Sequence, residues 1–207
     1  MKHMIVAAAA LATAASAGAS DFQGAWLDVR GGWDRAQLVV SVDDFNISDS
    51  QSGFVYGGAG GYDFAIGSKI IAGIQIGAYG STTRQCLEVY GLDEGCVKAG
   101  RDLEVLAKLG ARVSDRTLLY GLAGYANGVA AYTYEDFEGI LADERESESE
   151  HGFRIGVGVE QAVTEGGFLK LEYRYTSYAR TDFDIVDFDV DAGFNRHQIL
   201  LGAGLRF

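Results

Sequence analysis

The chain ends Asn195-Arg196-His197-Gln198-Ile199-Leu200-Leu201-Gly202-Ala203-Gly204-Leu205-Arg206-Phe207, and the parity of this stretch decides the fold. His197, Ile199, Leu201, Ala203, Leu205 and Phe207 take one set of alternate positions; Arg196, Gln198, Leu200, Gly202, Gly204 and Arg206 take the other. Alternation with period two is the strand period, here with one apolar face and one face of charges and glycines. The same contrast recurs upstream. Phe153, Ile155, Val157 and Val159 oppose Arg154, Gly156, Gly158 and Glu160; Leu169, Leu171, Tyr173 and Tyr175 oppose Lys170, Glu172 and Arg174; Leu103, Val105, Ala107, Leu109, Ala111 and Val113 oppose Glu104, Lys108 and Arg112.

Eight such segments are expected, at 25–36, 53–66, 69–81, 101–114, 117–132, 151–164, 168–178 and 195–207. The connections alternate in length. Gly67-Ser68, Asp115-Arg116 and Glu165-Gly166-Gly167 are the polar material of tight hairpins, whereas 37–52, 82–100, 133–150 and 179–194 read as long loops. Short turns at one end and long loops at the other predict an all-β, eight-stranded antiparallel up-and-down barrel of the transmembrane, outer-membrane type.

Composition narrows the class. The 207 residues carry 17 Lys+Arg against 29 Asp+Glu, a net charge of −12, which disfavours binding to nucleic-acid phosphates. Glycine numbers 29, about twice the usual share, and proline is absent, as suits strands that must all donate into a ladder. A soluble periplasmic lipocalin-like carrier would show the same alternation with the faces reversed. The polar face argues for the membrane. It sets Asp28, Asp34, Asp63, Glu104, Glu160 and Glu172 against Arg30, Lys108, Arg112, Arg154, Lys170, Arg174, Arg196 and Arg206, a near-balanced set able to satisfy itself by ion pairing in a narrow lumen. On the apolar face, Tyr62, Phe64, Tyr120 and Phe207 fall toward the short-turn end and Trp33, Phe54, Tyr56, Phe153 and Tyr175 toward the long-loop end, as two interfacial girdles require. The segment Leu118-Leu119-Tyr120-Gly121-Leu122 fits either phase.

Residues 1–19 read as a signal peptide: Lys2 and His3, an apolar run from Met4 to about Ala15, then the small-residue triplets Ala15-Ser16-Ala17 and Ala17-Gly18-Ala19. Cleavage near 17–20 leaves residues 20–207 as one barrel domain. In an exported chain Cys86 and Cys96 read as a disulfide across the second long loop, worth about 3 kcal/mol in the chain-entropy account. No metal-ligand spacing, phosphate loop or nucleophile elbow is expected, and no cofactor.

The signal peptide, the early strand Gly57-Gly58-Ala59-Gly60-Gly61-Tyr62 and the ending through Phe207 resemble the small outer-membrane barrels of the OmpA-like or porin-like surface-antigen type over nearly all of the mature chain. The resemblance implies outer-membrane location and contact with outer-membrane lipid; the asymmetry of turns and loops then puts the long loops outside, and an even strand count returns both termini to the periplasm. The resemblance also implies that Phe207 presents the last strand to the barrel-assembly machinery. It implies structural or surface-interaction roles but not one activity, since similar barrels serve as adhesins, envelope anchors and a few enzymes. The narrow interior of eight strands, which side chains fill, favours a non-enzymatic barrel acting through its loops, adhesin- or antigen-like. The alternative is an outer-membrane lipid-modifying hydrolase, for which a register opposing Ser177 to His197 would supply two members of a triad. Lipid A deacylases of this fold carry His-x-Ser on one strand, a pattern that neither His197-Gln198-Ile199 nor His151-Gly152-Phe153 matches.

The long loops concentrate acid: Asp43, Asp44 and Asp49; Glu88, Asp93 and Glu94; Glu135, Asp136, Glu138, Asp143, Glu144, Glu146, Glu148 and Glu150; Asp182, Asp184, Asp187, Asp189 and Asp191. Such an acidic crown would take divalent cations weakly or a basic surface ligand, with Asp184, Asp187 and Asp189 as its expected contact point. In 182–191 acids alternate with apolar residues, which predicts a last hairpin extended beyond the membrane.

Overall fold

The computed structural model describes residues 22–42, 45–89, 93–136, 144–178, 181–185 and 188–207. Its strands are β1 (Gly24–Val42), β2 (Phe45–Ile66), β3 (Ile70–Ser81), β4 (Arg84–Val89), β5 (Asp93–Ser114), β6 (Thr117–Asp136), β7 (Glu144–Ala162), β8 (Gly167–Tyr178), β9 (Thr181–Ile185) and β10 (Phe188–Arg206). Each pairs antiparallel with its neighbours in the order β1-β2-β3-β5-β6-β7-β8-β10, and β10 returns to β1 from Trp26↔Arg206 to Val42↔Val190. β4 and β9 continue the lines of β3 and β8, because β5 pairs with β3 and then β4, and β10 with β8 and β9. The barrel therefore has eight staves and is closed. Closure leaves no unpaired sheet edge for hydrocarbon to contact.

The tight end matches the polar turn material. Gly67 and Gly166 sit there at φ 67° and 77°, a region that glycine enters without steric cost. The long end differs from the expectation of loops. β1 and β2 pair out to Val42↔Phe45 and β6 and β7 to Tyr134↔Glu144, so most of 37–52 and 133–150 is ladder. The reason is solvent on both faces: beyond the bilayer neither side of a strand needs to be apolar, so period two fades from the sequence while the backbone pairing continues. In the last hairpin Asp182↔Asp191 and Asp184↔Asp189 stand opposite each other.

The faces are those of a membrane barrel. Leu27, Val29, Ile76, Leu109, Val157 and Leu201 are 61–70 % exposed on the outer wall, a pattern favourable only against lipid. Inward positions hold the charges, which corrects the lipocalin-like alternative, since such a carrier would line its cavity with the apolar face. A second correction concerns Tyr120. It belongs to no girdle but points inward, as do Leu118 and Leu122, while Leu119 faces out. The inward phase gives the Tyr120 hydroxyl a carboxylate, Glu172 Oε1 at 2.7 Å. It also gives the ring room beside Gly158, where a Cβ would lie 2.6 Å from Tyr120 Cζ.

Candidate functional site

Inside the barrel, strand parity aims charged side chains from all around the wall at one axis. Their ion pairs join into a single chain running lengthwise. At the long end Arg196 grips Asp34 through two bonds, Nε to Oδ1 at 2.6 Å and Nη2 to Oδ2 at 2.8 Å. Arg196 also reaches Asp102 at 3.0 Å, and Asp102 and Glu104 share Arg154 at 2.6 Å each. Arg174 joins Glu104 to Glu172, and Arg30 joins Glu172 to Asp28. Lys170 then bridges Asp28 at 3.2 Å and Glu160 at 3.5 Å. At the tight end Lys108 and Arg206 both pair Glu160 with Asp63.

Among the described residues the chain comprises seven carboxylates and seven cations. The numbers matter because an unpaired ion in so dry a place costs several kcal/mol. Glu104 is the hub, accepting from Arg154, Arg174, Gln75 Nε2 at 3.0 Å and the Tyr79 hydroxyl at 3.1 Å. Asp34 in turn accepts from Ser81 and Thr83. Around Asp63 and Lys170 the indole of Trp26 collects cations, with the Lys170 ammonium 3.3 Å from its ring centre and Lys108 at 5.2 Å. Gly61 accommodates that indole, since a Cβ there would fall 2.7 Å from Trp26 Cζ2. Arg112 lies nearer the tight end with its guanidinium 5.6 Å over the Phe22 ring.

Asp102, Trp26, Tyr79, Gln75 and Gln198 belong to this interior and were not among the expected charged set. Parity was the available signal: Asp102 shares its phase with Glu104, and Trp26 shares its phase with Asp28. Arg154, Arg174, Asp34 and Asp63 each have 0 % residue exposure, so at those levels the lumen is filled by side chains.

On the outer wall near the long end, two histidines meet tyrosines. Tyr173 Oη and His197 Nδ1 are 2.8 Å apart, Tyr175 donates to Asn195 Oδ1 at 3.0 Å, and His151 Nδ1 is hydrogen-bonded to Tyr125. The register that would oppose Ser177 to His197 is two residues away from the one found: Ser177 faces Asn195, and His197 faces Tyr175. The imidazole is thus held by phenols, as an interfacial side chain, and the direct opposition of Ser177 to His197 that the hydrolase alternative called for is not made.

The remaining expected sites lie at the ends. Phe207, exposed, donates its amide to the Ala25 carbonyl at 2.8 Å beside the barrel seam. Cys86 and Cys96 are register partners on β4 and β5. Asp184 and Asp189 face each other in register, and Asp187 lies outside the described residues, as does the expected signal peptide. Acids also oppose acids at Glu88↔Glu94, Glu94↔Glu135 and Asp93↔Asp136.

The model of the outer membrane protein beta-barrel domain family matches residues 5–207. The chain belongs to this family. This outer-membrane barrel is 29% identical over 180 residues to the 22 kDa outer membrane protein of Rhizobium leguminosarum bv. viciae, covering 76% of this chain and 79% of that protein. It is 24% identical over 225 aligned positions to the 31 kDa outer-membrane immunogenic protein of Brucella melitensis biotype 1, covering 99% and 91%. Among solved structures, Ail, the attachment invasion locus protein of Yersinia pestis, aligns with 89% of this chain and 99% of its own at 22% identity, with a TM-score of 0.48. The barrel resides in the outer membrane of Gram-negative bacteria, with its apolar wall against lipid.

Proposed function

We propose that this barrel is a non-enzymatic surface protein whose recognition is carried by the acidic hairpins of its long end, adhesin- or antigen-like in role. The observation that carries the reading is the contrast between the two regions. Across the lumen, cation and carboxylate neutralise each other at 2.5–3.9 Å, which suits a plug and a scaffold. At the long end, acidic residues are register partners of acidic residues, a pairing that costs stability unless a cation or basic ligand relieves it. Weakly bound divalent cations or a basic partner protein surface are its natural ligands. A Brucella relative named for being immunogenic supports exposure of this end to the outside.

In this reading an N-terminal signal peptide is removed near 17–20, both termini lie in the periplasm, and the strand ending at Phe207 engages the barrel-assembly machinery. Cys86 and Cys96 form a disulfide in the second hairpin; directly opposed residues of an antiparallel pair lie within the Cα separation that such a bond spans. The test is protease shaving of intact cells, paired with conductance of the purified barrel in planar bilayers. Cleavage confined to the long hairpins, with no steady channel, is expected. An epitope tag after Phe207 that is detected on intact cells, or a persistent large conductance, overturns the reading.

A further inference from the structure

Three successive outward rows cross the seam where β10 meets β1 and β1 meets β2. The first is Ile199, Trp33 and Phe54; the second is His197, Arg35 and Ser52; the third is Asn195, Gln37 and Ser50. An apolar row, a basic row and a neutral polar row thus succeed one another toward the long end, and none of the nine positions holds a carboxylate. Arg35 is exposed and, among the described residues, uses one nitrogen, Nη2, to donate to Ser50 Oγ at 2.8 Å. That bond anchors the guanidinium on the wall and spares its remaining donors. His197 is oriented by Tyr173 at 2.8 Å and by the Tyr175 ring at 5.0 Å between centres. In the neutral imidazole, a Tyr173 hydroxyl donating to Nδ1 leaves the ring proton on Nε2, a second donor beside Arg35.

We propose that this patch is a lipid site: a clamp, formed by Arg35 with His197, Ser52 and Ser50, for a lipid with an anionic phosphate headgroup, whose acyl chains lie along Trp33, Phe54 and Ile199. Charge complementarity selects the headgroup. The molecule is strongly acidic, yet here a cation sits at the upper edge of the apolar wall, where a headgroup must sit. Arg suits phosphate because its planar fork bonds two oxygens at once. The adjoining apolar row selects a lipid, since a free phosphate has no use for Trp33. The proposal rests on this wall being immersed in the bilayer.

Trp33 supplies the probe. The chain has two tryptophans, and Trp26 is buried inside the barrel, so lipid-borne bromine reaches only Trp33. The full barrel is placed in nanodiscs of zwitterionic phospholipid containing a minor fraction of acyl-brominated lipid, either phosphatidylglycerol or phosphatidylcholine. Quenching by the anionic lipid should correspond to about five-fold local enrichment over the zwitterionic one, the size expected for one basic residue at a headgroup. The preference should vanish in Arg35→Gln, weaken in His197→Gln, survive in Arg35→Lys at reduced size, and be unchanged in Arg101→Gln, another exposed cation on the barrel. High salt should abolish it in the unaltered protein, a readout needing no variant. Equal quenching by both lipids, or a preference that persists in Arg35→Gln, overturns the clamp while leaving the membrane wall intact. Absence of quenching by either lipid overturns the wall placement itself.

Discussion

The Lys170 ammonium sits 3.3 Å from the centre of the Trp26 ring while bonding Asp28 at 3.2 Å. With its contact to Glu160, this cation is the joint between the two halves of the ionic chain. Asp28 keeps Arg30, and Glu160 keeps Lys108 and Arg206, so Lys170→Met should cost only about 1–3 kcal/mol. Arg196→Met takes from Asp34 its ion-pair partner among the described residues, which should cost about 3–5 kcal/mol. Urea unfolding in micelles, followed by heat-modifiable migration, reads both. A larger loss for Lys170→Met would mean that the chain does not work as pairwise compensation. Only Lys170→Met should also shift the Trp26 emission, because the cation–π contact goes with it.

Depth in the membrane sets the cost of charge on the outer wall. Val157→Arg, in the middle of the apolar band of β7, should cost about 2–4 kcal/mol, and Ser177→Arg, close to the long end, about 0–1 kcal/mol. Equal costs in a bilayer refolding titration would refute the assignment of the outward face to lipid.

The proposed Cys86–Cys96 disulfide would staple a hairpin outside the apolar band. Protein isolated without reductant should take up no alkylating reagent until it is reduced, as measured by mass. The double Ser variant should insert and migrate as the unaltered barrel does. Two reactive thiols in the unreduced protein would remove the disulfide.

Replacing Asp184, Asp187 and Asp189 by Asn should leave heat-modifiable migration unchanged while lowering calcium or oligolysine binding several-fold, in a salt-sensitive way. Binding that is equally strong after this change, and after deletion of residues 143–148, would deny the acidic hairpins any recognition role.

Much of the barrel was legible because lipid on one side and a packed ionic lumen on the other impose opposite chemistry on successive residues. The ending from Asn195 to Phe207 and the segments around Arg154, Lys170 and Lys108 carry that contrast in full, so their phase could be read directly. Where both faces meet the same medium, the signal is lost. Leu38 to Val42 and Thr133 to Asp136 continue as strand, and nothing in their polarity announced it. Tyr120 failed for a related reason: in Leu118-Leu119-Tyr120-Gly121-Leu122 the lumen takes apolar residues too, and the choice of phase fell to Glu172 and Gly158, on β8 and β7.

The sequence by itself determined which residues share a face, because parity along a strand is a local property of the pleated backbone. Which of them touch was decided only by tertiary structure. Register between staves depends on turn geometry and on closure of the whole sheet, and it set Ser177 against Asn195 instead of His197 and Arg35 beside His197. Partner choice in the lumen is less local still. Asp34 and Arg196, 162 positions apart, meet because closure brings β10 beside β1, and Glu104 gathers Arg154 and Arg174 across the interior because the barrel is narrow enough for long side chains from facing staves to reach one another.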